Sequence, residues 1–508
     1  MTNHKLRTRW DSLSAEELRD CQAHALRRYL TNHVVPFSGY YSELFRKEGI
    51  DPASIRSLEN LERLPFSSKS SLISASDGTP RTRDFVLVPD EKILSRRPST
   101  IARALYRGRA GVKTDFESEY RPILMTSTTG RSAEPVPFLY TQHDLDHLET
   151  TGRRLMEICD SRPDFRHFNL FPFAPHLAFW QAHYAGLGYN TFTLSTGGGK
   201  VMGTEGNVRL LGKIKPDALI GMPTFLYHVL QVAVEEGLEC PNIQRIVLGG
   251  EKVPDGLRRK LKTLCAELGS GSVDIMATYG LTEAKMAWPE CPSRDQDEPT
   301  GYHLYPDLGI VEVIDPDTGK VVGEGEPGEI VFTPLDSRGS VVLRYRTGDL
   351  ISEGITYEPC PACGRKVPRL LGRISRVSDM RRLHIGKVKG TLVNFNDLEH
   401  VLDDLDGVGT WQIELRKRND DPLDCDEILV HVAPTGRLSK DRLSKAISDR
   451  FSAATEIRPN RIEFHDAEDL RERHGVGIAL KEEKVIDRRE IDPIPQNSET
   501  TVSHHEPS

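Results

Sequence analysis

The run Ala277-Thr278-Tyr279-Gly280-Leu281-Thr282-Glu283 combines three residue types that nucleotide chemistry requires. Glycine lets the chain turn tightly after a strand, tyrosine offers a flat face to a purine, and a carboxylate can hold Mg2+. The same run also reads as a buried tyrosine beside a solvated glutamate. Arg344-Tyr345-Arg346-Thr347-Gly348-Asp349 places a second carboxylate after a turn that closes a strand. An aspartate there can accept both hydroxyls of a ribose, or it can satisfy its own turn backbone. Thr126-Ser127-Thr128-Thr129-Gly130 follows a strand and offers backbone and hydroxyl donors to phosphate oxygens, although such clusters are commonly plain loops.

A fourth group of residues concerns metal. Cys360-Pro361-Ala362-Cys363 has knuckle spacing, but two thiolates are too few for a closed tetrahedral zinc site. Cys291 and His303 flank the preceding loop, which a hairpin could bring alongside. Zinc on Cys291, His303, Cys360 and Cys363 would be structural, because four protein ligands leave no open position. A pair of reduced thiols in a turn is the alternative.

These residues need elements to position them. From about residue 121, short apolar runs alternate with helical patterns. Residues 123–125, 168–173, 190–194, 218–220, 246–248 and 273–276 read as strands, with amphipathic helices at 226–236 and 257–268 between them. Strands alternating with helices imply a mostly parallel sheet with both faces covered. Several strands end in Gly, Ser or Thr clusters, and ligands of open α/β sheets bind at the carboxyl ends of strands. Upstream, Ser14 and Glu17 form a capping box for a first helix, with Leu13 and Leu18 at the staple positions. After Glu298 the pattern changes to strands: 310–314, a turn at Asp315-Pro316-Asp317-Thr318-Gly319, and 321–322 form an expected hairpin, and 329–333 and 341–345 continue as strands.

The fold class expected is α/β. A large N-terminal domain, 1–371, has parallel or mixed sheets with covering helices and a β-rich subdomain at about 299–371. A small α+β domain, entered through a basic region at 373–389, is expected over 372–489, and 490–508 reads as a disordered polar tail. At 508 residues the chain can bury a large core. Its net charge of -8 argues against nucleic acid as a partner. No apolar run suits a membrane span, and the N-terminus lacks a secretory h-region. Eight scattered cysteines in such a chain fit a reducing compartment, so the cytoplasm is the expected location.

Taken in order, the motifs resemble the acyl-adenylate-forming superfamily of acyl-CoA synthetases, and within it the phenylacetate–CoA ligase-like branch. The resemblance rests on Gly249-Gly250-Glu251, the Tyr-Gly-Leu-Thr-Glu run, Gly328-Glu329-Ile330-Val331, Tyr345 to Asp349, Gly372-Arg373 and Asn394 to Glu399, and covers residues 120–490. It implies that an acid, expected to be aromatic, is activated with ATP and Mg2+ and passed to coenzyme A. An amine, a hydroxyl or a carrier-protein thiol is the alternative acceptor, and an inactive nucleotide-binding regulator the remote one. A homodimer is left open.

By the same resemblance Thr128, Thr129 and Gly130 line the phosphates, while Gly250, Glu251 and Tyr279 flank the adenine. Thr282 touches the α-phosphate, Glu283 holds Mg2+, Asp349 binds the ribose, and Arg373 contacts the nucleotide at a hinge. His176, Ala277 and Gly280 fall where relatives build the acid pocket, within or near the aromatic segment 171–180; a core stripe is the other reading of that segment. Related phosphate loops carry a hydroxyl residue and a glycine where this chain has Met125 and Ser127. The run Val485-Ile486-Asp487 aligns Lys481 with the adenylation lysine, and Lys484 competes for that role. Such a lysine sits on the C-terminal domain, which rotates between the two half-reactions.

Overall fold

The computed structural model describes residues 2–73, 79–128, 135–293, 299–376, 380–383, 391–418, 426–436, 438–455, 457–474 and 484–489. The chain divides into two compact units, Met1–Asp379 and Met380–Ser508. Thr129, Gly130, Lys481 and the tail 490–508 lie outside the described residues.

In the first unit the apolar runs become a six-stranded sheet. Its order is Phe192–Ser195, Arg166–Asn169, Ala218–Gly221, Arg245–Gly249, Asp274–Leu281 and Met286–Pro289. The first five strands are parallel and the last is antiparallel. The parallel strands are joined through helices such as Pro223–Glu235 and Asp255–Glu267. Leu219, Ile246 and Leu248 on the strands pack with Leu226, Leu230 and Leu261 on those helices. This burial is why the strands read as continuous apolar runs. Because the strand at 192–195 lies outside that at 166–169, the chain direction across the sheet reverses between 166–169 and 218–221, the place where doubly wound sheets open a crevice.

The capping box forms as expected at the helix Ala15–Tyr29, with Ser14 as its cap, and Leu13 and Leu18 are both buried. A short helix, Thr2–Thr8, precedes it, so this is not the first helix of the chain. The runs at 123–125 and 137–140 do not join the main sheet. They pair with each other as the antiparallel strands Leu124–Ser127 and Pro137–Tyr140.

The β-rich part holds two sheets. Gly309–Ile314, Gly328–Pro334, Tyr345–Ile351 and Ile374–Arg376 form one antiparallel sheet. The expected hairpin closes at its base, Val321 bridging Ile314 and the Val322 amide donating to the Val313 carbonyl at 3.0 Å, but the long partner strand is 328–334. Two valines bury less than the seven wholly buried positions of 328–334, so the longer strand takes the pairing. Ile355–Thr356, Arg369–Leu370 and Tyr302–His303 form the second sheet.

In the second unit the order is Arg461–Phe464, Asp426–Pro434, Val408–Lys417 and Val485–Asp487. The two central strands are antiparallel, and each edge strand runs parallel to its neighbour. Helices Phe395–Asp404 and Lys440–Thr455 cover one face through Leu398, Leu402, Leu443 and Phe451. Among the described residues, no helix is long and apolar enough to cross a membrane.

Candidate active site

Two strands meet at the predicted site, and each supplies a tyrosine to an acid on, or just after, the other. The strand Asp274–Leu281 carries Tyr279 near its end, and the Tyr279 hydroxyl donates to Asp349 Oδ2 at 2.8 Å. The strand Tyr345–Ile351 begins with Tyr345, whose hydroxyl donates to Glu283 Oε1 at 2.9 Å. The two motifs, far apart in sequence, are therefore locked together by a crossed pair of hydrogen bonds.

Gly280 does not make the turn expected of it. The strand runs on through Gly280 and Leu281 against Met286–Pro289, and the turn falls at 282–285. Thr282 and Glu283 sit on that turn, which the Lys285 amide closes by donating to the Thr282 carbonyl at 3.1 Å. Lys285 takes a positive φ of 60° and buries its ammonium 3.1 Å from Asp144 Oδ2. That carboxylate also accepts the Gly339 amide at 2.7 Å and the Thr141 amide at 3.0 Å. A left-handed, buried lysine is costly, and the ion pair with Asp144 offsets it while holding the turn.

Burial pushes the Glu283 carboxyl above its ordinary value, against the opposing bond from Tyr345. A half-buried carboxylate held by a neutral phenol is short of positive charge. A divalent cation would supply that charge, so the residue fits the expected Mg2+ ligand.

Asp349 is oriented from two sides. Besides Tyr279, the Arg376 Nε donates to Asp349 Oδ1 at 3.1 Å. The register places Asp349 opposite Arg376 on adjacent antiparallel strands. Arg373, expected at the nucleotide, has an exposed side chain, and its amide donates to Ser352 Oγ at 2.8 Å. The Gly328-Glu329 motif also gains a purpose. Glu329 accepts Arg346 Nε at 2.8 Å and the Gly348 amide at 3.1 Å, and Gly348 has φ +72°, so the bulge preceding Asp349 is fixed by one carboxylate.

Gly250, at φ +83°, turns the chain after Arg245–Gly249. Glu251 then reaches sideways to the helix Pro223–Glu235. Its Oε2 accepts the Thr224 hydroxyl at 2.5 Å and the Thr224 amide at 3.2 Å, a carboxylate on a helix N-terminus. Thr128 pins the loop neck, its hydroxyl accepting the Val136 amide at 3.0 Å. His176 Nδ1 donates to the Ser127 carbonyl at 3.1 Å, joining the start of the helix Leu177–Tyr189 to the strand before the loop. Ala277 is buried in the sheet, its amide donating to Glu290 Oε2 at 2.7 Å, and Gly280 is exposed. Phe171 lies against Gly249. Phe173 meets Phe179 at 5.0 Å between ring centres, and Phe179 meets Trp180 at 5.5 Å.

The cysteine group assembles from three segments. Cys291 follows the last strand of the main sheet, His303 lies on the three-stranded sheet, and Cys360 and Cys363 sit in the loop between that sheet's other strands. Cys291 Sγ is 3.7 Å from Cys360 Sγ, and Cys363 Sγ is 3.3 Å from His303 Nε2; all four ligand atoms lie within 4.8 Å of one another. Hydrogen bonding among the thiols pushes Cys291 above the ordinary thiol range and holds Cys360 and Cys363 below it. His303 Nδ1 donates to the Pro289 carbonyl at 3.2 Å, which turns Nε2 toward the sulfurs.

Known proteins resemble this chain in sequence and in fold. A family model described as AMP-binding enzyme matches residues 177–334. A phenylacetate-coenzyme A ligase of Thermus thermophilus is 27% identical over 372 residues, 73% of each chain. One from Aromatoleum evansii is 25% identical over 365 residues, 72% of each chain. A solved 2-hydroxyisobutyryl-CoA ligase, in its postadenylation state with the acyl-adenylate, shares the fold with a TM-score of 0.74 at 22% identity, covering 95% of this chain and 92% of that one. The resemblance to adenylate-forming ligases, phenylacetate–CoA ligase-like in kind, is borne out.

Proposed function

We propose that the chain is an AMP-forming acid–CoA ligase. A carboxylate oxygen of the substrate attacks the α-phosphorus of ATP and pyrophosphate leaves, giving an acyl-adenylate. The thiol of coenzyme A then attacks the acyl carbon, loses its proton, and displaces AMP. The observation that carries this reading is the crossed bonding of Tyr279 with Asp349 and of Tyr345 with Glu283, which draws the two nucleotide motifs together.

Asp349, oriented by Tyr279 and Arg376, accepts the ribose hydroxyls. Thr282 donates to the α-phosphate, and Thr128, Thr129 and Gly130 line the phosphates, with Gly250 and Tyr279 beside the adenine. Glu251 steadies Gly250 through its bonds to Thr224 on the neighbouring helix. Glu283 would hold Mg2+, which supplies positive charge to the phosphate oxygens. The substrate carboxylate is already a nucleophile, so the residues need only align two anions and stabilise charge. Lys481 is the adenylation lysine of this reading. Its competitor Lys484 is occupied within its own unit, 3.6 Å from Asp403 Oδ1 and 4.8 Å from the Trp411 ring centre.

The aromatic residues 171, 173, 179 and 180 favour an aromatic acid, with His176 holding the segment to Ser127. ATP–pyrophosphate exchange with a panel of aryl and alkyl acids is expected to rise with an aromatic acid, and added coenzyme A is expected to give the thioester and AMP. Exchange without any thioester would move the acceptor to an amine, hydroxyl or carrier thiol. No exchange with any acid would leave an inactive nucleotide binder.

Zinc on Cys291, His303, Cys360 and Cys363 is part of the same proposal. At a Zn–S length of about 2.3 Å, tetrahedral geometry separates two sulfurs by about 3.8 Å, and Cys291 and Cys360 stand 3.7 Å apart. Metal analysis is expected to find one zinc at this site. Cys360→Ser should lose it and melt several degrees lower. A metal-free preparation that melts at the same temperature would refute the assignment.

A further inference from the structure

We propose a second transition-metal site, for one divalent ion such as Zn2+, on the sheet of the C-terminal unit, held by His431 Nδ1, His465 Nε2 and a Glu463 carboxylate oxygen. It is independent of the ligase reading and of the cysteine group.

The site follows from strand register. His431, on Asp426–Pro434, stands opposite Glu463 on the parallel edge strand Arg461–Phe464. His465 comes two residues after Glu463, the spacing that returns a side chain to the same face of a strand. His431 Nδ1 is 2.9 Å from His465 Nε2 and 3.5 Å from Glu463 Oε2, and His465 Nε2 is 3.8 Å from Glu463 Oε2. A single point lies about 2.0 Å from all three atoms, the bond length zinc makes to imidazole nitrogen and carboxylate oxygen.

A fourth residue sets the tautomer. Glu414, on the neighbouring strand Val408–Lys417, places Oε2 3.3 Å from His431 Nε2. It accepts the Nε2 proton and leaves the Nδ1 lone pair facing His465 and Glu463. A carboxylate behind a ligand histidine is the usual outer partner of a bound metal. His431 is buried while His465 and Glu463 are half-buried, so the group opens to solvent on one side and has room for water as a further ligand.

Three cations face the group. Arg473, from the helix Ala467–His474, has Nη1 3.5 Å from His431 Nδ1. Arg461 Nη1 lies 3.3 Å from Glu463 Oε1, and Arg488 Nε lies 3.4 Å from Glu414 Oε1. Arg461 and Arg488 meet oxygens other than the two that the site uses. Arg473 competes directly and must swing aside for the ion. The group His143, His147 and Asp336 in the first unit differs, because Arg338 Nη1 already sits 2.8 Å from Asp336 Oδ1 and Arg7 pairs with its other oxygen. That group is an ion-pair network.

Zn2+ titration of the full-length protein against a chromophoric chelator tests the site. Wild type is expected to take up one equivalent beyond any held by the cysteines, and His465→Ala to weaken that uptake at least 100-fold. Glu414→Ala should weaken it about 10–100-fold through the outer shell, and Arg473→Ala should tighten it. Co2+ in this site should show d–d bands without thiolate charge transfer. Equal uptake by wild type and His465→Ala, or thiolate charge transfer from the added Co2+, would overturn the proposal. Because His465 is half-buried at a strand end, its alanine variant keeps the core of the unit, and unchanged circular dichroism checks this.

Discussion

Asp349→Ala is expected to raise the KM for ATP in pyrophosphate exchange by about 100-fold or more. Charge-assisted hydrogen bonds contribute about 1.5–3 kcal/mol each. Two ribose hydroxyls at the lower figure already amount to about 100-fold. Tyr279 and Arg376 hold the carboxylate in place, so the bound ribose meets a preoriented acceptor. The alanine variant loses that acceptor and also leaves the Arg376 guanidinium without this partner. Asp349→Asn keeps one acceptor oxygen and should fall between the two. Initial rates against ATP concentration measure this, and a KM equal to wild type in the alanine variant removes Asp349 from the site.

Glu283→Gln should separate activity from stability. Its isosteric amide can still accept the Tyr345 hydroxyl, but the charge for a cation is gone. Exchange should drop about 100–1000-fold, the loss typical of one electrostatic contact at a transition state. Stability should move the other way. The folded-state pKa of Glu283 is raised by burial, so its contribution to stability is complete below the unfolded value and is lost as pH rises through the folded value. At neutral pH the wild type carries that penalty and the glutamine does not. The variant should therefore melt higher than wild type near pH 7, with the gap closing as pH falls through the raised pKa. Melting curves across pH, run with exchange assays, measure both. A variant that exchanges at the wild-type rate would defeat the assignment of Glu283.

The sheet strands were legible because burial on both faces leaves an unbroken apolar signal, as at Ala218–Gly221 and Arg245–Gly249. The helix at 15–29 was legible because Ser14 and Glu17 state its start locally. The hairpin at 310–322 was legible in its turn signal at 315–319, which says where the chain reverses but not that a later strand, 328–334, supplies the longer pairing. Glu283 and Asp349 could be singled out as types in motifs, yet their partners could not. Tyr345 was part of a motif with no stated partner, and Arg376 sat in a basic stretch that looks solvated. Only strand register sets Arg376 opposite Asp349. Lys285 with Asp144 was missed for the same reason: a long-range ion pair leaves no periodic trace. Lys481 and most of the phosphate loop were read from motif alone.

The crossed tyrosine–carboxylate bonds have a consequence for recombination. A chimera with a relative whose crossover falls between residues 284 and 344 draws each tyrosine and its carboxylate from different parents. Both bonds depend on the same strand spacing, so a slight offset in the donor backbone breaks the two together rather than one at a time. Segments 274–289 and 345–351 thus form a single heritable block, to be exchanged jointly or left alone. During natural drift the same linkage makes substitutions at Tyr279 and Tyr345 strongly epistatic with their opposite acids, so either motif can be remodelled only in step with the other.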